Sequence, residues 1–157
     1  MTGEEKKNFS LRVSQASKTE LIVIMYEIAV KYIEDAIKCE EEKEYTGYRD
    51  NLSMARRTVN SLMSSLDMSY EISHELRNIY VYMNNELVKA NAKRDASVLP
   101  RLMEMLGTLR EAFKEVAKED TSGPVMANTE KVYAGLTYSK GSLNESTYTE
   151  PSRGFTV

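Results

Sequence analysis

The sequence predicts an all-α protein: an antiparallel up-down four-helix bundle followed by a flexible or loosely packed C-terminal tail. Three observations carry that prediction. Glycine and proline are nearly absent up to position 100, where only Gly3, Gly47 and Pro100 occur, whereas strands would leave turn residues between them. Apolar residues recur in alternating steps of three and four, the period of a helix that buries one stripe. From Asp120 onward the composition changes, because residues 120–157 hold four of the seven glycines and two of the three prolines and keep no sustained period.

The elements follow in order. Residues 1–16 read as a polar N-terminal arm, residues 17–119 as the bundle and residues 120–157 as the tail. The first helix begins after Ser17, where "SKTE" has the capping-box form with Glu20 reaching back to the cap. It runs to about Cys39, and "EEEKE" reads as a charged, exposed connection. The second helix places Tyr45, Tyr48, Leu52, Ala55, Val59, Leu62 and Leu66 on one seam. The third gives Ile72, Leu76, Ile79, Met83, Leu87 and Ala90, and the fourth Leu102, Leu106, Leu109, Phe113 and Val116. Pro100 lacks an amide hydrogen and fits only a first turn, which points to Ser97 or Asp95 as the cap. Short connections make consecutive helices antiparallel.

Bulk properties exclude several function classes. A chain of 157 residues with net charge −3 lacks the dense basic field that nucleic acid or an anionic membrane surface requires. The longest apolar run, Leu21 to Tyr26, is six residues, where a membrane span needs about 20. Cys39 is the only cysteine and the opening "MTGEEKKNFS" is no signal peptide, so a cytoplasmic, reducing location is expected. His74 is the only histidine, which leaves no His-based triad. The Glu71-x-x-His74 motif of "EISH" cannot make a di-iron site, because that site needs a second such motif on another helix. No Gly-rich phosphate loop occurs. The expectation is a non-enzyme with no metal and no cofactor.

The first helix poses the functional question. In "LIVIMYEIAVKYIEDAI", thirteen of seventeen residues are apolar. At 100° per residue Glu27, Lys31, Glu34, Asp35 and Lys38 fall within an arc of about 100°, leaving about 260° apolar, more than one bundle seam uses. Two readings stand. Either this helix is the central one, covered by the arm or the tail, or the surplus is a groove kept for a partner chain. Met25, Met54, Met63, Met68, Met83, Met103 and Met105, with Tyr70, Tyr80 and Tyr82, suit an adaptable interface and equally suit core filling.

The order of these segments resembles the FliS family of flagellar export chaperones over roughly residues 16–118. The resemblance rests on "ASKTELIVIMYEIAVKYIEDAI", on "NLSMARRTVNSLMSSLD", and above all on "IYVYMNNELVKANAKRDASVL", with "LREAFKEV" as the closing helix. Lys18 stands where the family has proline, Ile28 where it often has glycine, and "NFSLRVSQAS" replaces a tyrosine-bearing arm. The resemblance implies a chaperone that binds the disordered C-terminal region of flagellin, prevents premature polymerisation, keeps flagellin export-competent and meets the flagellar export machinery. The expected partner-binding residues are Leu21, Ile22, Met25, Tyr26 and Ile33, with Val59, Leu62 and Met63, and with Tyr80, Tyr82 and Met83. The alternatives are a non-catalytic regulatory bundle with another helical partner or a homodimeric role, and a ferritin-type metal oxidoreductase. In the tail, Val132, Tyr133, Leu136, Tyr138 and Leu143 are apolar enough to occupy a groove.

Overall fold

Ser17 starts the first long helix as the capping box predicts. Its hydroxyl accepts the Glu20 amide proton at 3.3 Å, and the Glu20 carboxylate accepts the Ser17 amide proton at 2.8 Å. Two donors that a helix start leaves orphaned are thereby satisfied. The computed structural model describes residues 1–126. Within them lie five helices: α1 (Gly3–Gln15), α2 (Lys18–Glu41), α3 (Tyr45–Ser64), α4 (Glu71–Lys93) and α5 (Leu99–Glu119). No strand occurs among the described residues, and no helix there is long and apolar enough to cross a membrane.

Within residues 1–16, read from sequence as an N-terminal arm, the chain forms helix α1. Thr2 forms a second capping box with Glu5, but no residue of α1 is buried. A helix of 13 residues is marginal by itself, and here Phe9 and Val13 are half-buried and ion pairs flank them. The Met1 amino group pairs with Asp35, Glu5 with Lys31 at 2.9 Å and Arg12 with Glu27 at 2.6 Å. Rising numbers on α1 meet falling numbers on α2, so the two run antiparallel. The charged arc of α2 is therefore the face that α1 covers.

These pairs make α1 docking sensitive to acid. Its own backbone bond to Thr2, and then Lys31, pull the Glu5 carboxyl down from 4.5 to about 2. A depressed carboxyl pKa stabilises the folded form at pH above 4.5 and loses that contribution as pH falls toward 2. Amide exchange in α1 is expected to accelerate across that window relative to α3, measured by NMR. In Glu5→Gln the α1 exchange should already be fast at pH 6 and change little on acidification.

Helix α2 is central, which accounts for its wide apolar arc. Its largest interfaces are with α3 and then α5, Tyr26 reaches α4 through a hydroxyl–hydroxyl hydrogen bond to Tyr80, and α1 closes the charged side. Tyr26, Ala29, Ile33 and Ala36 of α2 are fully buried. They meet Tyr48, Leu52, Ala55, Val59 and Leu62 of α3, Leu76, Tyr80, Met83, Leu87 and Ala90 of α4, and Leu99, Leu102 and Leu106 of α5. Antiparallel pairing shows in the cross-links: the Tyr48 hydroxyl donates to the Ala90 carbonyl at 3.1 Å, and Asn84 donates to Asn60 at 2.6 Å.

The seams shift at their ends. On α4 the buried positions are Ser73, Leu76, Tyr80, Met83, Leu87 and Ala90; Ile72 is 59% exposed and Ile79 only half-buried. The observed register alternates three and four throughout, whereas the expected one takes two successive steps of four at Ile79, Met83 and Leu87; the apolar side chains of Ile72 and Ile79 are what favoured it. Tyr80 turns inward because Tyr26 satisfies its hydroxyl. Tyr45 is exposed at the start of α3, and Val116 is 55% exposed near the end of α5. Helices α4 and α5 touch little, so the last turns of α5 have only α2 to pack against.

Turn chemistry supplies the remaining corrections. Neither Ser97 nor Asp95 caps α5: Val98 is the cap, without a side-chain bond. The Asp95 carboxylate instead accepts the Ser97 amide proton at 2.9 Å, bracing the preceding turn. Lys43 follows α2 at φ 59, in the left-handed region, while Glu44 donates its amide proton back to the Cys39 carbonyl at 2.7 Å. Glycine is the usual residue there because a Cβ is disfavoured. Lys43→Gly is expected to raise unfolding free energy by about 1 kcal/mol in urea titration.

Candidate partner-binding groove

At one end of the molecule the start of α2, the end of α3, the α3–α4 connection, the start of α4 and the second half of α5 converge. They leave an apolar groove of about 250 Å³. Leu62, Leu76 and Tyr80, all buried, form its floor. Ile22, Leu66 and Phe113 form half-buried walls. Tyr70, 63% exposed, and Ile72 stand at the rim, with exposed Met68 between them and Leu66 in the chain.

Beneath the floor the three aromatic rings brace one another. Tyr26 lies 6.4 Å from Tyr80 and 5.6 Å from Phe113, centroid to centroid, both tilted. Burial, and then the bond to Tyr80, hold the Tyr26 hydroxyl far above the ordinary tyrosine range. Burial raises Tyr80 as well. Both phenols stay neutral, so the floor presents no charge. The one carboxylate in the lining, Asp67, is occupied by its own turn. It accepts the Ser69 hydroxyl at 2.7 Å and the Ser69 amide proton at 3.0 Å, which holds its pKa below the usual range.

Of the eleven residues predicted from sequence, the structure brings Ile22, Leu62 and Tyr80 together in this lining, with Tyr26 directly behind. Ile33, Val59 and Met83 lie in the core, fully buried, and are out of a partner's reach in this conformation. Met25, Met63 and Tyr82 are half-buried and pack against that core; Leu21 is half-buried outside the lining. A Met63→Glu exchange therefore perturbs packing as well as any surface, and is a poor probe of binding alone.

Of the other lining residues, Leu66, Ile72, Leu76 and Phe113 were read from sequence only as seam positions, and Tyr70 only as suited to an interface or to core filling. A signal was present. Leu66, Met68, Tyr70 and Ile72 place an apolar residue at every second position through a connection, where polar turn residues are usual.

The groove has no catalytic furniture. Cys39 lies at the far end of α2, where burial and then Glu44 push its thiol up, the reverse of what a nucleophile needs. Its Sγ accepts a weak hydrogen bond from Asn51 at 3.7 Å. His74 is exposed on α4. Among the described residues no three His, Cys, Asp or Glu side chains gather as a metal site would require. An apolar trough with a neutral floor and exposed aromatic and aliphatic edges can bury the apolar stripe of an amphipathic helix.

Comparison with known proteins gives the family. The family model described as "Flagellar protein FliS" matches residues 2–120. The flagellar secretion chaperone FliS of Bacillus subtilis (strain 168) is 27% identical over 108 residues, which span 69% of this chain and 81% of that relative.

Proposed function

This chain belongs to the FliS family of flagellar proteins, and from that premise we propose that it is a cytoplasmic export chaperone for flagellin. It binds the disordered C-terminal segment of flagellin, prevents premature polymerisation, and keeps the segment competent for the flagellar type III export machinery. In this reading α2 to α5 act as an antiparallel four-helix bundle, to which α1 is appended. The observation that carries the proposal is the apolar groove with Tyr70 and Ile72 exposed at its rim. A soluble protein that leaves such residues together at one site leaves them for a partner. The name of the Bacillus relative, a flagellar secretion chaperone, supports the same reading.

The physical logic is a balance. Seating a disordered segment buries on the order of 1,000–3,000 Å² and costs several kcal/mol in ordering. The complex is then held tightly and still releases without nucleotide hydrolysis. Calorimetric titration with a peptide covering flagellin's C-terminal segment tests this. A one-to-one isotherm with a strongly negative heat-capacity change is expected. Absence of heat at several temperatures, together with no displacement of a labelled peptide, overturns the proposal.

A further inference from the structure

Helix α4 carries two seams. The inner one, described above, faces the core. A second runs along its opposite side at His74, Asn78, Val81, Asn85, Val88 and Ala92, in strictly alternating steps of four and three. All six residues are exposed, and none of them lines the groove. The solvent face of a helix ordinarily carries its charges. In a chain that is 29% charged, this stripe holds none. Val81 is 38% and Val88 42% exposed. Between and beside them stand Asn78 and Asn85, one heptad apart, and asparagine within an apolar seam is the residue that sets register in helix pairs.

The charges lie along one flank of the stripe, and they are sorted by sign. Glu71 and Glu75 occupy the first two turns of α4, and Lys89 and Lys93 the last two. All four are exposed. Within each pair, like charges sit four residues apart, a spacing that destabilises a helix by itself. Lys89 pairs with Glu86 at 2.8 Å, but Glu71, Glu75 and Lys93 enter no ion pair among the described residues. Half-buried Tyr82 marks the midpoint of this order, eleven residues from both Glu71 and Lys93 and seven from both Glu75 and Lys89. A parallel copy of α4 would set glutamate on glutamate and lysine on lysine. An antiparallel copy sets each glutamate on a lysine, and two-fold symmetry repeats every pair.

We propose that a second copy of this chain docks along the outer face of α4, antiparallel about a two-fold axis near Tyr82, burying Val81 and Val88 of both copies and pairing Glu71 and Glu75 of each with Lys93 and Lys89 of the other. A helix of 23 residues spans about 35 Å. One helix pair of that length buries less than the roughly 1,200–2,000 Å² of a stable interface. The dimer is therefore weak, with a Kd of about 10–100 μM. It stands beside the flagellin reading and does not rest on it.

Sedimentation equilibrium of the full-length chain, from about 5 to about 500 μM, is expected to show monomers in exchange with dimers. Glu71→Lys with Glu75→Lys makes one variant, and Lys89→Glu with Lys93→Glu makes another. Each alone is expected to dimerise about ten-fold more weakly or worse, because like charges then meet across the axis. An equimolar mixture of the two is expected to associate at least as tightly as the parent, since every pair between unlike copies is again opposite in sign. Val88→Glu, on the stripe itself, is expected to weaken the dimer about ten-fold and supplies the readout if a double variant does not fold. A parent that stays monomeric across the range overturns the proposal. So does any folded variant that dimerises as the parent does, which places the contact elsewhere, and so does a mixture of the two folded charge variants that fails to associate. None of these samples contains flagellin, so the groove proposal stands or falls by its own titration.

Discussion

Tyr70→Ser combined with Ile72→Glu is expected to weaken binding of a flagellin C-terminal peptide about thirty-fold or more, equivalent to about 2 kcal/mol. The two side chains are the most exposed apolar edges of the groove, 63% and 59% accessible. They contribute little to the folded body, so unfolding free energy should stay within about 0.5 kcal/mol of the parent. That separation distinguishes this pair from Leu62 or Tyr80, whose loss would unfold the floor beneath them. The new carboxylate acts against a partner twice, by removing contact area and by demanding solvation inside an apolar trough. Calorimetry and urea unfolding, run on the same preparation, read the two quantities. A stably folded double variant that binds as tightly as the parent removes the groove from the binding surface.

The aromatic brace gives the second large effect, on stability. The Tyr26 and Tyr80 hydroxyls hydrogen-bond to each other in a region where both residues are at most 1% exposed. Tyr26→Phe leaves the Tyr80 hydroxyl buried without that partner, and Tyr80→Phe does the converse. Each single change is expected to cost about 1–3 kcal/mol, the desolvation of one unpaired group. The double change removes both hydroxyls and should cost less than the sum of the two, by at least about 1 kcal/mol. Urea unfolding of the four proteins in the cycle measures the coupling. Strict additivity would mean that each hydroxyl has another partner when its neighbour is gone. Because Phe keeps the ring, peptide affinity should move far less than stability in all three variants.

Much of the fold was legible because local chemistry and tertiary demand agreed. Ser17 and Glu20 wrote the start of α2, and the three-four alternation of Tyr48, Leu52, Ala55, Val59 and Leu62 wrote the buried face of α3. Disagreement began where composition and spacing pointed to different registers. Ile72 and Ile79 are more apolar than Ser73 and Tyr80 one position on, so composition favoured them although only the latter pair keeps the strict alternation. The choice belonged to Tyr26, whose hydroxyl offers Tyr80 a partner that spacing along α4 cannot reveal. Helix α1 was invisible for a related reason. "GEEKKNFSLRVSQ" offers only Phe9 and Val13, both half-buried, as an apolar face, and its ion pairs go to Glu27, Lys31 and Asp35 on a helix that follows it in sequence.

The candidate site divides the same way. Ile22, Leu62 and Tyr80 were found because they are apolar residues on amphipathic helices. Leu66, Ile72 and Phe113 were read only as seam residues, because periodicity marks an apolar stripe without saying that its end stays uncovered, and Tyr70 lies in a connection with no helical period. By itself the sequence determined that the described residues are helical, where α2 begins, and the buried stripe of α3, because capping and periodicity are local and nearly independent of what lies across the interface. Only the tertiary structure decided that α2 sits at the centre, that its charged arc holds α1, and that apolar surface stays open at one end of the molecule. Those outcomes depend on which helices approach one another and which do not. The gap left where α4 and α5 part is a property of all five helices together and of none of them alone.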